Sequence, residues 1–261
     1  MVCTRFNREA LMLFLLLFAS PAQAEPSKAE LVALLETVDS QQRNTGDFHA
    51  EIYMEQNEQG KPSVAYEAHV FRRSADERFM ILFTNPKASA GQGYLRVEQH
   101  LWFYDPKVGK WERRTDRERI GGTGSRRTDF DESRLSTGYN PAYVGEEKLG
   151  AYNTIILKLT VKPGQDVAFP VVKVWIDRDT NNVLKRQDFA VSGRLLRTGY
   201  YPKWKKVFSQ SKGGDVWFPE ETRLYDEVQK ETSTIVQFRA VDVEALDANT
   251  FTKAWLESKS R

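Results

Sequence analysis

Alternation of apolar and polar residues is the strongest structural signal in the chain, and it begins at Phe48. In the segment 48–55, for example, every second residue is apolar, including Ala50 and Ile52. A period of two is typical of β-strands with one buried face. Turn sequences rich in Gly, Pro, Asn and Asp, such as 59–62, separate these segments. The pattern predicts an antiparallel sandwich or barrel and contains no βαβ rhythm.

The predicted strands are short and follow one another closely. They comprise 48–55, 64–72, 78–84, 94–98, 100–104, 110–114, 154–162, 171–177, 183–191, 195–202, 204–210, 216–219, 221–227 and 232–243. The strand at 78–84 is apolar at nearly every position, which predicts that both of its faces are covered. The stretch 120–140 has few apolar residues, and we predict that it is irregular.

Two helices complete the predicted elements. Segment 27–43 carries apolar residues at helical spacing, and Ser27 with Glu30 forms the sequence pattern of a capping box. We predict a short C-terminal helix at residues 246–259. Since no linker rich in Pro, Gly or Ser divides the chain, we expect residues 25–261 to form one β domain.

The first 24 residues have the composition of a secretory signal peptide. A basic start precedes an apolar run at 10–18, and the segment ends in the small-residue sequence Ala22-Gln23-Ala24. Cleavage near Ala24 would also remove Cys3, the one cysteine of the chain. The sequence therefore predicts an exported protein, residues 25–261, that functions outside the cytoplasm without disulfides.

Composition and motifs argue against several classes of function. A formal net charge of +2 lacks the basic excess of nucleic-acid-binding proteins. The histidines, His49, His69 and His100, lie in separate predicted strands without metal-ligand spacing, so we expect them to be isolated and to bind no metal, with strand pairing that brings them together as the alternative. The chain has neither a GxSxG motif nor a P-loop. We therefore predict no catalytic residues, no cofactor and no enzymatic activity.

The most unusual stretch is rich in arginine. It holds Arg113, Arg114, Arg117, Arg119, Arg126, Arg127 and Arg134, interleaved with Asp116, Glu118, Asp129, Asp131 and Glu132. Arginine binds carboxylate and phosphate groups well, but a self-neutralising surface network would explain the same residues. The glycine-rich sequence 121–125 is typical of a loop, and adjacent acids such as Asp131 and Glu132 do not form a glycosidase pair.

The same part of the chain carries a resemblance to a known family. The sequences LWFYDP at 101–106, WERR at 111–114 and TDFDE at 128–132 resemble the periplasmic outer membrane lipoprotein-sorting proteins, relatives of the LolA and LolB carriers. The segments 171–177 and 217–219 resemble the second half of these proteins. The chain differs from the family pattern at residues 126–128. These residues separate Gly124-Ser125 from Asp129-Phe130, whereas the two pairs are adjacent in the family pattern.

The resemblance implies a mainly β fold, namely an incomplete, half-open antiparallel β-barrel with an N-terminal helix and short helices covering the open side. It implies a monomeric, non-enzymatic carrier that binds lipid or lipoprotein acyl chains and transfers them between membranes. An inner-membrane export pump or an outer-membrane acceptor would be its partner. The residues at the positions of the family motif are Arg113, Arg114, Arg119, Ser125, Asp129 and Phe130.

A carrier of this kind needs an apolar cavity. Assuming that alternate residues of each strand face inward, we predict that its lining contains Phe79, Ile81, Phe83, Leu101, Phe103, Leu157, Leu159, Val174 and Ile176. An alternative function is a regulatory or assembly module of the same fold that senses lipid or docks on a membrane-protein partner. Such a module would have a small or filled cavity and a docking patch, for which the arginine-rich loop is a candidate.

Overall fold

The computed structural model describes residues 25–44, 46–98, 100–115 and 117–260. The predicted signal peptide, residues 1–24, lies outside this part of the chain. Helix α1 covers Lys28–Gln42, and the Ser27 and Glu30 side chains form the predicted capping box. Within the described residues, no helix is both long enough and apolar enough to span a membrane.

One antiparallel sheet contains all the named strands. In chain order these are β1 (Asp47–Asn57), β2 (Val64–Arg73), β3 (Arg78–Asn85), β4 (Gly93–Val97), β5 (His100–Asp105), β6 (Lys110–Arg114), β7 (Tyr139–Leu149), β8 (Tyr152–Val161), β9 (Val171–Asp177), β10 (Val183–Phe189), β11 (Leu195–Ser209), β12 (Gly214–Asp226) and β13 (Ser233–Asp242). The mainly β prediction is therefore confirmed.

The sheet is open between β6 and β7. Its strand order is β6-β5-β4-β3-β2-β1-β13-β12-β11-β10-β9-β8-β7, so that β6 and β7 form the two edges. These edge strands are consecutive in the chain, and residues 117–138, here called the crossing segment, connect them. The crossing segment is irregular, as predicted, apart from a 3₁₀ turn at Arg127–Phe130 and the one-turn helix α2 (Leu135–Gly138).

The structure differs from the predicted strands in two places. Strand β7 was not predicted, because Pro141 and a register shift between Tyr143 and Gly145 interrupt its alternation. Proline is tolerated there because β7 is an edge strand. The strands β11 and β12 are each continuous, where the sequence predicted two pieces. A register irregularity between Tyr200 and Lys203 accommodates Pro202 without ending the ladder.

The C-terminal region is less helical than predicted. It forms a 3₁₀ turn at Ala248–Phe251 followed by helix α3 (Lys253–Lys259). This region covers one face of the sheet, called the outer face here, where Phe251 and Leu256 pack with Met80 of β3. Alternate residues of β3 point to the opposite, inner face, where Phe79 is buried. Both faces of β3 are therefore covered, as its sequence predicts.

The inner face carries two apolar clusters. The first cluster combines β1–β5, β12 and β13 with Ile120 and Phe130 of the crossing segment. The second combines β7–β10 with helix α1, whose Leu31, Leu35 and Val38 side chains are buried in it. The crossing segment and α1 are therefore two covers on the same face of one sheet.

Candidate functional site

A large cleft lies between the two apolar clusters of the inner face. Its volume is about 1180 Å³. Side chains of the first cluster that line it are Phe48, Phe79, Phe130, Phe218 and Phe238. Side chains from the second cluster are Leu135, Tyr139, Val167, Ala168, Phe169, Val174, Val183, Tyr201 and Trp204. The cleft slightly exceeds the volume range of about 300–1,000 Å³ that is typical of small-molecule sites, and part of its lining is apolar and aromatic, as in such sites.

The cleft is also lined by many arginines. These are Arg72, Arg73, Arg78, Arg96, Arg113, Arg114, Arg117, Arg127, Arg134, Arg186 and Arg197. The carboxylates in the same lining are Glu77, Asp129, Asp131, Glu132 and Asp166. Further carboxylates just outside the lining pair with several of these arginines, among them Asp47 with Arg73 and Asp188 with Arg197. The cleft thus combines apolar walls with a dense ionic network.

The crossing segment runs over the middle of the inner face. Its Gly124 amide donates to the Thr234 hydroxyl of β13 at 2.7 Å, and a Cβ at position 124 would lie 2.7 Å from that same oxygen. Only glycine allows so close an approach. Farther along, the Phe130 ring packs at centroid distances of 6.0 Å from Phe79 and 6.3 Å from Phe238. The segment therefore covers the first cluster and forms one wall of the cleft.

A buried chain of ion pairs attaches the crossing segment to β10 and β11. The Arg197 guanidinium donates to both carboxylate oxygens of Asp129, at 2.7 and 2.8 Å, and its Nε donates to Asp188 at 2.9 Å. The Arg186 Nε donates to the other oxygen of Asp188 at 2.6 Å. Burial opposes ionisation of Asp188, but the two arginines outweigh it and hold the pKa of this carboxyl below its ordinary value.

Arg72 of β2 makes a second attachment. Its guanidinium donates to the carbonyl oxygen of Phe130 at 2.8 Å and to Glu132 at 3.3 Å, and it lies 4.8 Å from the centre of the Phe48 ring. Burial lowers the pKa of Arg72 from its ordinary value, and the nearby Glu132 opposes this shift. Arg127 pairs with Asp131 within the segment, at 2.7 Å. Several of the cleft arginines thus contact carboxylates or carbonyls of the crossing segment.

The predicted motif residues lie along this same route. Arg119 pairs with Asp226 of β12 at 2.5 Å, while Asp129 and Phe130 make the contacts described above. Ser125 is fully buried beside the turn that begins at Ile120. On β6, the other motif residues have local partners. Arg113 contacts the His100 ring, and Arg114 pairs with Glu112 and stacks on Phe103.

The predicted cavity residues divide between the two clusters. Phe79 and Val174 line the cleft. The others lie in the packed cores on either side of it, with Ile81, Phe83, Leu101 and the partly buried Phe103 in the first cluster and Leu157, Leu159 and Ile176 in the second. Sequence reasoning did not single out Arg186 and Asp188. The sequence feature that could have identified them is a pair of charged residues, two positions apart, on the inward-facing side of a strand.

The histidines are not all isolated, contrary to the sequence-based expectation. Pairing of β1 with β2 brings His49 and His69 together, with 3.2 Å between Nε2 and Nδ1. Burial, together with the neighbouring His69, lowers the pKa of His49. In the described part of the chain, no cluster of three or more His, Cys, Asp and Glu side chains is arranged to bind a metal ion.

Solved structures similar to this one share its fold. A LolA superfamily protein from Nitrosomonas europaea has a TM-score of 0.70 and 19% sequence identity, with 85% of this chain and 97% of that chain covered. A domain from Vibrio parahaemolyticus, named as an outer membrane lipoprotein-sorting protein, has a TM-score of 0.74 and 16% identity, with 88% and 100% covered. A DUF1329 family protein from Desulfovibrio piger has a TM-score of 0.73 and 20% identity, with 88% and 97% covered.

Sequence comparison identifies one family. Comparison with curated protein sequences gives no match. Residues 75–258, more than half of the chain, match a protein family described as uncharacterized-protein-like. The chain therefore belongs to this uncharacterized-protein-like family, and its fold is that of the LolA superfamily and the outer membrane lipoprotein-sorting proteins, as its sequence resemblance predicts.

Proposed function

We propose that the protein is a non-enzymatic periplasmic carrier that binds lipid or lipoprotein acyl chains in the cleft and transfers them between membranes. The observation that supports this most directly is the cleft itself. It opens between two apolar clusters of an unclosed sheet, and aromatic side chains form much of its wall. An acyl chain that covers the apolar part of this wall would stabilise the complex by about 25 cal/mol per Å² of apolar surface removed from water.

The fold supports the same conclusion. Similar structures include a domain named as an outer membrane lipoprotein-sorting protein. A carrier that receives and releases acyl chains requires a donor and an acceptor in the two membranes. We therefore propose an inner-membrane export pump and an outer-membrane acceptor as partners, with the carrier monomeric between them. The predicted signal peptide at 1–24 is the basis for proposing a periplasmic location.

Native mass spectrometry of protein purified from the periplasm, followed by organic extraction and lipid analysis, tests the proposal. A co-purified lipid or acylated peptide is the expected result, and it would identify the class of cargo. A ligand-free mass together with no uptake of a fluorescent fatty acid would contradict the carrier function. That result would favour the alternative, a regulatory or assembly module that docks on a membrane-protein partner.

A matched pair of variants tests whether the cleft is the binding site. Val167 is half-buried and lines the cleft, whereas Val108 is 60% exposed and lies in the turn after β5, outside the lining. Val167→Trp adds bulk within the cleft and is expected to weaken fatty-acid uptake, while Val108→Trp is expected to leave it unchanged. Equal uptake by both variants, with folding verified by circular dichroism, would place the ligand elsewhere.

A further inference from the structure

The second apolar cluster has a guanidinium group at the surface of the cleft. Arg186 projects from β10 on the same side as Asp188, and both the cleft lining and the buried ion pairs include it. About 25% of its side chain is exposed. Val174, the cross-strand partner of Arg186, and Val183 on its own strand are apolar and line the same cleft. A strong hydrogen-bond donor therefore lies where the apolar lining of the cleft meets the buried ion pairs.

The protein uses only part of the hydrogen-bonding capacity of Arg186. Asp188 is the one carboxylate among the described residues that pairs with it, and the hydrogen bond comes from Nε. The neighbouring hydroxyl groups are those of Tyr139 and Tyr201. The Tyr139 hydroxyl donates to the carbonyl oxygen of Phe169 at 2.9 Å, while its oxygen accepts a hydrogen bond from the Arg186 guanidinium. The two terminal nitrogens of Arg186 thus have no carboxylate partner, and a guanidinium edge of this kind fits a carboxylate or phosphate group.

Asp188 is shared between two guanidinium groups. Arg186 pairs with Asp188, and Arg197 pairs with both Asp188 and Asp129. Each carboxylate oxygen of Asp188 already accepts a hydrogen bond from one of these arginines. Among the described residues, no further carboxylate pairs with the part of Arg186 that is exposed to the cleft, and a guanidinium there can bind an anionic group of a ligand.

Attachment of the crossing segment does not account for Arg186. The segment is bound at this point by Arg197, which contacts both oxygens of Asp129. Arg186 shares Asp188 with Arg197, and both guanidinium groups hold that carboxyl ionised. This role uses the Nε of Arg186 and leaves the exposed part of its guanidinium facing the cleft.

We propose that Arg186 binds the carboxylate or phosphate group of an amphiphile whose apolar chain occupies the cleft. The cargo of the carrier is accordingly an anionic lipid or acylated molecule, and an uncharged chain of the same length binds more weakly. This inference rests on the proposed carrier function and specifies its ligand class.

Binding measurements with matched amphiphiles test the inference. The ligands are dodecyl phosphate, dodecanoate and 1-dodecanol, which share one chain, together with inorganic phosphate, which has none. Each competes with a fluorescent fatty-acid analogue for the wild-type protein. We expect the two anionic amphiphiles to bind about tenfold more tightly than the alcohol, as one charge-assisted hydrogen-bonded pair predicts. Inorganic phosphate is expected not to compete.

The variant Arg186→Met removes the charge and retains a long apolar side chain. It is expected to abolish the preference for anionic amphiphiles, measured as the ratio of the dodecanoate and 1-dodecanol affinities for the same variant. The control is Arg178→Met, since Arg178 pairs with Glu146 outside the cleft and should retain the preference. If Arg186→Met does not fold, Arg186→Lys, which keeps the charge but loses the planar fork, is expected to reduce the preference.

Several outcomes would overturn the inference. Equal affinities for the anionic amphiphiles and 1-dodecanol would remove the need for an anionic group, while the carrier function would stand. A preference that survives in Arg186→Met, or in Arg186→Lys if that is the variant that folds, would exclude Arg186 as its source. Competition by inorganic phosphate would mean a free-anion site rather than a lipid site. If no amphiphile binds, the carrier function itself fails.

Discussion

The two covers of the inner face are held by different forces. Helix α1 buries Leu31, Leu35 and Val38 in the second apolar cluster. The crossing segment buries few apolar side chains and is attached mainly by ion pairs and hydrogen bonds, such as those between Asp129 and Arg197. One cover therefore depends on apolar area removed from water, and the other on the pairing of buried charges.

The two kinds of attachment differ in how strongly they fix the position of each cover on the sheet. Apolar packing tolerates small shifts, whereas a buried ion pair that loses one partner leaves a costly charge behind. The buried ion pairs therefore favour the observed position of the crossing segment, and with it the position of the cleft wall that includes Phe130. Helix α1 contributes apolar packing, and its Asp39 accepts hydrogen bonds from Ser133, Leu135 and Ser136 at the C-terminal end of the crossing segment.

Arg197→Met is expected to have the largest effect on this comparison. It leaves Asp129 and Asp188 partly uncompensated in a buried setting, so the free energy of unfolding should fall by about 4 kcal/mol. Urea denaturation gives the total loss, and hydrogen exchange should increase most in residues 117–138. The control, Arg239→Met, removes an exposed pair with Glu67 and should change stability little. A loss equal to that of the control would mean that ion pairs do not hold the crossing segment.

Leu35→Ala tests the other cover. Leu35 is fully buried, so the substitution creates a cavity between α1 and the sheet and should lower the free energy of unfolding by about 3 kcal/mol. Hydrogen exchange should increase in α1 and not in the crossing segment. Leu34, a partly buried neighbour in α1, provides the control Leu34→Ala with a smaller expected loss. Increased exchange across both covers would show that they unfold as one unit.

Asp39→Ala tests the contact between the two covers. This buried carboxylate of α1 accepts hydrogen bonds from the Ser133 hydroxyl, the Leu135 amide and both the amide and hydroxyl of Ser136. Its loss should lower the free energy of unfolding by about 2 kcal/mol, the range for hydrogen bonds to a charged group. Exchange should increase at both α1 and α2. An increase at α1 alone would mean that Asp39 does not connect them.

Arg117→Met is expected to have the smallest effect. Arg117 pairs with Asp166 at 2.6 Å, but the side chains are 66% and 89% exposed. Exposed pairs contribute about 1 kcal/mol or less, so thermal unfolding should change little at low salt and not at all at high salt. A loss as large as that of Arg197→Met would show that burial does not decide the strength of these pairs.

Elements with a regular local pattern were predictable. The capping box of α1 and the alternation in β1 to β6 can be seen within a few residues of sequence, and the sequence motifs at 101–106, 111–114 and 128–132 indicated the fold. Strand β7 was not predictable, because its Pro141 and bulge hide the alternation. The contact of His49 with His69 was equally hidden, since it depends on the register between two strands.

The sequence by itself determined a mainly β chain with an N-terminal helix and an irregular arginine-rich connection. Those properties depend on residue spacing and turn chemistry, which act over short distances along the chain. Only the tertiary structure decided that the connection crosses the inner face between the sheet edges, and that Arg186 faces the cleft beside Asp188. Charge pairs such as Arg197 with Asp129, 68 residues apart, form only when the sheet brings distant strands together. No local pattern in the sequence specifies which charges will meet.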